Sequence, residues 1–287
     1  MIAMLGTGTM GAPMARNMRA AGLEVRAWNR TREAADPLKA AGIEVAGSAE
    51  EAVHGAELVV TMLADGEAVT EVLEDGGALA AMADGAVLVQ MSTVGLAATE
   101  ALAALAEDRG VALVDAPVLG TKAPAEKGEL VVLASGPRDA LGRCRPIFDA
   151  VGSTTVELGE TGGGTRMKLV LNSWLLALTT GLAESIALAE QLDLDPEQFL
   201  DVIRGGPLGV PYADLKGKAM IERSFEPSFA ASLAAKDAGL VLEAAERKQL
   251  GLRLAEAVAE LYRSTERAGH GELDMAAVLL AVTGEDA

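Results

Sequence analysis

"MIAMLGTGTMGAPMARNM", residues 1–18, is the stretch whose reading decides the fold. An apolar run, Ile2 to Leu5, passes at once into Gly6, Gly8 and Gly11 in G-x-G-x-x-G spacing, and a helical pattern follows over residues 11–21. The first two glycines permit a tight turn and close approach of backbone to a pyrophosphate. The third lets helix and strand pack closely, and the N–H groups at the helix mouth supply positive potential. Taken alone, such spacing can be ordinary turn glycines. Here a strand precedes it, a helix follows, and a second strand, "EVRAW", comes next, so we read a dinucleotide cradle made of Gly6, Thr7, Gly8, Thr9, Met10 and Gly11.

Outward from this unit the alternation continues. "LVVTML", "AVLVQM", "VALVD", "LVVLAS" and "STTVEL" are short β-rich runs separated by helical patterns, and "SAEE" at Ser48 to Glu51 has the form of a capping box. Strand–helix repetition with nearly continuous apolar strands predicts a doubly wound parallel sheet covered on both faces, an α/β Rossmann domain over residues 1–160. Strand signals stop after Leu158. The turn "GETGGG" then leads into a long helical pattern to about residue 191, with further helices near 196–204, 211–223, 233–249, 253–268 and 274–282. Residues 161–287 are therefore expected to form an all-α domain built on that long interdomain helix. The helix is apolar nearly all round, which predicts that other helices or a partner subunit surround it.

Bulk properties narrow the function. A net charge of −18 and a pI near 4.5 over 287 residues would repel phosphate backbones and anionic membranes, so neither nucleic acid nor a membrane is expected as partner. The most apolar stretch, 169–183, is interrupted by Asn172, Ser173, Thr179 and Thr180 and reads as a core helix rather than a membrane span. No basic region, apolar run and cleavage site open the chain, so no export signal is expected. One cysteine, Cys144, allows no internal disulfide and fits a cytoplasmic location. Two histidines in unrelated contexts and no clustered ligands argue against a metal or a Ser-His-Asp triad, leaving lysine, tyrosine or a carboxylate for proton transfer.

The second strand should end in an acid if the 2'-hydroxyl of NAD is read. Instead it ends "AWNRTRE", with Asn29 at that position followed by Arg30, Thr31 and Arg32. Guanidinium groups and a hydroxyl there suit a 2'-phosphate, so the expected coenzyme is NADP(H), against the alternative that these residues merely open the next helix. In "TGGGTRMKLVLNSWLLAL", Lys168 enters an otherwise apolar segment near a helix start. The positive helix end and neighbours Leu169 and Leu171 are expected to lower its pKa toward the range useful for proton transfer, with Asn172 one turn later on the same face. The alternative is a lysine that snorkels to water.

With "GTGTMGAPMARNM", "MSTV" (91–94), "DAPVLGT" (115–121), "GGGTRMKLVLN" (162–172) and "AAKDAGLVLEAA" (234–245) in this order, the chain resembles the β-hydroxyacid dehydrogenase family over nearly its whole length. "NRT", "KAPAEKGEL" and "KLVLN" look most like its glyoxylate/succinic semialdehyde reductase branch. The resemblance implies that Lys168 is the catalytic acid/base, with Asn172 holding lysine or substrate. It also implies that Met62 and Leu63 line the cofactor, that Thr93 approaches the nicotinamide ribose and the substrate, and that Lys236, beside Asp237, lies near nicotinamide and substrate. The implied substrate is a small aldehyde or keto acid and its hydroxy acid. Members pair through the long helix, implying a homodimer, with a tetramer as the alternative.

The substrate loop, Leu119, Gly120 and Thr121, departs from the family's usual D-A-P-V-S-G-G. A hydroxyl is replaced by an apolar group, so that wall of the pocket is expected to be less polar. Imine reductases share fold and cofactor and have apolar pockets, and Leu119 makes them the rival reading, although they generally lack the lysine. A non-catalytic NADP-binding module is the third.

Overall fold

The computed structural model describes residues 1–285. Six strands, β1 (Ile2–Leu5), β2 (Val25–Trp28), β3 (Glu44–Val45), β4 (Leu58–Thr61), β5 (Val87–Gln90) and β6 (Ala112–Asp115), form one sheet in the order β3-β2-β1-β4-β5-β6. Every neighbouring pair is parallel, with Ile2 opposite both Val25 and Leu58. Helices α1 (Gly11–Ala20), α2 (Arg32–Ala35), α3 (Ala49–Val53), α4 (Gly66–Leu73), α5 (Ala78–Ala81) and α6 (Gly95–Asp108) connect them.

Alternation along each strand divides the side chains between two cores. Ile2, Met4, Val60 and Val89 face one way with Met14, Met18, Ile147 and Phe148. Ala3, Leu5, Val59 and Leu88 face the other way with Val53, Val69, Val72 and Leu102. Both faces are thus covered, as the apolar runs require. The Ser48 hydroxyl accepts from the Glu51 N–H at 3.0 Å, while the Glu51 carboxylate reaches back to the Gly47 N–H, one residue earlier than the expected box.

One part of the strand reading needs correction. "LVVLAS" and "STTVEL" do not extend the parallel sheet. They supply β8 (Leu130–Ala134) and β9 (Gly152–Glu157) of a separate three-stranded sheet, in which β7 (Val118–Leu119) lies antiparallel to β8 and β9 lies parallel to it. The short crossing after Asp115, through Pro117, lets the chain double back instead of adding a seventh parallel strand. Helices α7 (Lys122–Lys127) and α8 (Arg138–Val151) complete this part.

The chain divides into two compact units, Met1–Lys168 and one from Leu169 onward. The second is helical: the 29-residue α9 (Gly163–Gln191) continues into it, followed by α10 (Pro196–Ile203), α11 (Pro211–Ile221), α12 (Ala231–Arg247), α13 (Arg253–Thr265) and α14 (Val278–Thr283). Its core joins Leu176, Leu182 and Ile186 of α9 to Met220, Tyr262 and Leu279. Among the described residues α9 alone is long and apolar enough to cross a membrane by length and composition. Its buried leucines account for part of that character. Within the chain, helices cover one side of α9, while Val170, Trp174 and Leu188 are exposed on it.

Candidate active site

The strand order changes direction between β1 and β4, the point at which doubly wound sheets bind ligands beyond the carboxyl ends of their parallel strands. The glycine turn lies at this point. Gly6 has φ +100°, and a Cβ on it would stand 2.3 Å from the Met62 carbonyl oxygen; a Cβ on Gly11 would stand 2.0 Å from the Gly6 carbonyl oxygen. Both positions admit glycine alone. Gly8 is different: a Cβ there would meet nothing within 4 Å, so its smallness serves open space beside the turn rather than packing. Thr9 is exposed beside it and Met10 is the N-cap of α1, with no side chain capping the helix and no acid in its first turn. The buried Thr7 hydroxyl has no hydrogen-bond partner. Open space, a helix start with neither a side-chain cap nor an acid, and an orphaned hydroxyl fit a dinucleotide pyrophosphate.

Met62 and Leu63 border the same turn, with Leu63 Cδ2 2.8 Å from the position of a Gly6 Cβ. A buried network holds them there: the Gln90 amide bonds the backbone of Ser92 in both senses, at 2.7 and 2.8 Å, and the Ser92 hydroxyl accepts from the Leu63 N–H at 2.9 Å. Gln90 and Ser92 were not among the residues predicted from sequence; a glutamine ending an apolar strand was the available sign. Thr93 follows them, half-buried, one residue before the N-cap of α6, which is Val94.

Asn29 ties the end of β2 to the turn by accepting from the Thr7 N–H at 3.0 Å and donating to the Thr31 carbonyl at 2.9 Å. Its amide supplies both a donor and an acceptor here, which an aspartate could not do. Arg30 and Arg32 are not gathered around the turn. Arg30 pairs with Glu71 at 3.4 Å and Arg32 with Asp36 at 3.7 Å, all four side chains being largely exposed.

The run of three glycines has a structural cause. A Cβ on Gly163 would lie 2.1 Å from the Leu158 carbonyl oxygen, and one on Gly164 would lie 2.1 Å from that of Leu133. The start of α9 is thus pressed backbone to backbone against the sheet. Asp115, fully buried at the end of β6, accepts from the Thr165 N–H and hydroxyl, both at 2.8 Å, and Ser135 accepts from the Gly164 N–H at 2.9 Å. Burial pushes the Asp115 pKa up against the opposing hydrogen bonds from Thr165 and Ser135. The helix end expected from the sequence to present positive potential to Lys168 carries the Asp115 carboxylate, which offsets that potential. Lys168, three residues after Thr165, is 8% exposed.

One turn further along α9, buried Asn172 donates from Nδ2 to Asp237 Oδ2 at 2.7 Å. An ionised carboxylate only accepts, so the amide is oriented and Asn172 Oδ1 is turned away from it. That oxygen is a buried acceptor without a partner. Lys236 Nζ stands 3.0 Å from Asp237 Oδ1, an ion contact outside hydrogen-bond geometry. The structure therefore groups Asn172, Lys236 and Asp237.

Leu119 is half-buried at the end of β7, and Gly120, with φ +132°, turns the chain against Leu130 and Pro124 before Thr121, the N-cap residue of α7. Burial pushes the Cys144 thiol up to about 12, which removes it as a nucleophile at neutral pH. No group of three or more His, Cys, Asp or Glu able to hold a metal occurs among the described residues.

Comparison with known proteins gives two family matches: residues 1–159 with the NAD binding domain of 6-phosphogluconate dehydrogenase, and residues 162–282 with the NAD-binding domain of NADP-dependent 3-hydroxyisobutyrate dehydrogenase. The chain is 35% identical to glyoxylate/succinic semialdehyde reductase 2, chloroplastic, of Arabidopsis thaliana, covering 98% of this chain and 79% of that protein. It is 34% identical to the NAD-dependent L-serine dehydrogenase of Pseudomonas aeruginosa, over 96% of each chain. The solved Mycobacterium tuberculosis 3-hydroxyisobutyrate dehydrogenase with L-serine superposes with a TM-score of 0.87 at 32% identity, covering 97% of both chains.

Proposed function

The chain belongs to the 3-hydroxyisobutyrate dehydrogenase-like, or β-hydroxyacid dehydrogenase, family, and from that premise we propose an NADPH-dependent reductase of a small aldehyde or keto acid, with Lys168 as proton donor. Membership makes it a nicotinamide-dependent oxidoreductase acting on CH–OH. The observation that carries the finer reading is α9, which bears buried Lys168 and, one turn later, an Asn172 whose free acceptor is aimed by Asp237.

A bound nicotinamide supplies the hydride. The chain supplies the rest. Lys168 Nζ gives a proton to the carbonyl oxygen as it becomes an alcohol, and takes one from the hydroxyl in the oxidation direction. Asn172 Oδ1 accepts from a donor, either the lysine ammonium or the substrate hydroxyl, because its Nδ2 is already engaged. Leu119 presents an apolar wall, and the backbone of Gly120 and Thr121 is left to hold a carboxylate. Arg30 and Thr31, both exposed after β2, favour a 2'-phosphate once Arg30 leaves Glu71. The relatives' names include both NADP- and NAD-dependent enzymes, so coenzyme choice is part of the proposal. The exposed apolar residues Val170, Trp174 and Leu188 of α9 support a homodimer.

The test mixes purified protein and NADPH with succinic semialdehyde, glyoxylate or a cyclic imine, and separately NAD⁺ with L-serine, while nicotinamide absorbance is followed. Turnover of the two aldehydes is expected. Turnover of the imine alone would establish the imine reductase reading instead, and turnover of L-serine alone would move the substrate to hydroxy amino acids.

A further inference from the structure

We propose that Asp115 is a positioning residue: its buried carboxylate pins the first turn of α9 to the rim of the sheet and so fixes where Lys168 stands. The proposal rests on the role given to Lys168 above.

A helix start needs partners for its N–H groups, and a serine or aspartate next to it in sequence normally provides them while staying in water. Here the partner comes from 50 residues away and is fully buried. Burying a carboxylate is costly, and Asp115 makes no ion pair among the described residues; Arg166 acts on it only at a distance. A local cap would satisfy the same N–H group without that cost. What the remote carboxylate adds is a cross-link with two points of attachment on one residue, Oδ2 to the Thr165 N–H and Oδ1 to the Thr165 hydroxyl. Two bonds set the rotation of the turn as well as its position. Ser135 reinforces them, bonding the Gly164 N–H and donating back to Asp115, whose own backbone pairs with Ser135 in both directions.

Lys168 lies three residues beyond Thr165, so it follows the turn by about 4.5 Å along the axis on nearly the same face. A misplacement of about 1 Å at a reacting group can cost about a hundredfold in rate. Asp115 touches neither substrate nor coenzyme in this scheme. It acts through the helix.

Asp115→Asn preserves shape while disrupting the two-point grip. We expect kcat to fall by roughly tenfold to a hundredfold, with NADPH Kd and carbonyl KM within about threefold. The decisive arm compares Lys168→Ala with Asp115→Asn/Lys168→Ala, each with and without free methylamine as an untethered proton donor. If Asp115 acts by placing Lys168, the two proteins have equal residual and amine-rescued rates. A further loss in the double variant, or an unchanged kcat in Asp115→Asn, overturns the proposal. Should Asp115→Asn fold poorly, Thr165→Val removes one of the two bonds and enters the same cycle. Amide hydrogen exchange on the NADPH-bound protein tests the pin without turnover: exchange at residues 165–169 should quicken in the variant while β1 and α1 are unaffected. Unchanged exchange there overturns the pin. Absence of carbonyl turnover by the wild type would instead overturn the proposed function, and the exchange result would still decide the pin.

Discussion

Lys216 and Asp274 lie as deep in the helical unit as Asn172 and Asp237, yet the two groups are completed differently. Asp274 accepts from Lys216 Nζ at 2.6 Å, from the backbone of Ala276, Ser228 and Phe229, and from the Ser228 hydroxyl; Lys216 also donates to Ser228 and lies over the Tyr212 ring. Asn172 Oδ1 has no partner, nor has the Thr7 hydroxyl in the glycine turn. Leaving a buried acceptor unfilled costs free energy; among the described residues the Thr180 and Tyr262 hydroxyls are also unfilled, so an open acceptor does not by itself mark a site. At Asn172 and Thr7 the open acceptor falls on residues that the sequence singles out as candidates. Lys216 and Asp274 are saturated by one another and by Ser228, whereas the Asn172 acceptor is open.

The largest effect expected of breaking this contrast is kinetic. Lys168→Ala should lower kcat by on the order of 10²–10⁴-fold while NADPH affinity, read by fluorescence titration, changes little. An unchanged kcat would remove Lys168 from the acid/base role. Lys216→Met is the counterpart: it leaves Asp274 buried and unpaired, so urea unfolding should show a loss of about 3–5 kcal/mol, while kcat of the folded fraction is preserved. A catalytic loss there without destabilisation would erase the distinction.

A smaller, pH-dependent effect has opposite signs at the two buried aspartates. Burial alone would raise the Asp274 pKa, but the charge and hydrogen bond of Lys216 and the N–H groups of Ala276 and Ser228 hold it below its ordinary 3.8. Its contribution to stability is therefore present above that value and lost as pH falls through the lowered one. Asp115 is held above 3.8 by burial, so the folded chain favours its neutral form and that contribution is lost as pH rises. Thermal melts should accordingly show the deficit of Asp274→Asn closing in acid, whereas any advantage of Asp115→Asn grows toward neutrality.

Coenzyme contacts follow. Arg30→Ala should weaken NADPH about tenfold with little change for NADH, as loss of one charge-assisted contact implies; equal losses would end the 2'-phosphate role. Thr7→Val should be the mildest change, leaving Tm equal or slightly higher because an unsatisfied hydroxyl is removed, while NADPH binding weakens a few-fold.

The order of strands and helices was legible because period and glycine spacing are local signals. Gly6, Gly8 and Gly11 announced the dinucleotide cradle, and the three glycines before Lys168 announced a turn into the long helix. Not visible was the close approach they allow: that Gly164 meets Leu133 and Asp115 depends on pairing between distant segments, which no periodicity records. The second sheet escaped for the same reason, since β8 is apolar enough to have extended the first. Asn172 was readable as a neighbour of Lys168 from its four-residue spacing. That Asp237 aims its amide was not, because the partner is 65 residues away.

The two tryptophans fall in usefully different places. Trp28 ends β2, half-buried and next to Asn29, and Trp174 stands 65% exposed on α9. The protein thus carries two native optical reporters. With Trp174→Phe, quenching of Trp28 by reduced nicotinamide follows coenzyme binding; with Trp28→Phe, Trp174 emission tests the proposed homodimer, shifting to the blue as concentration rises if a second copy covers α9 and staying fixed if none does.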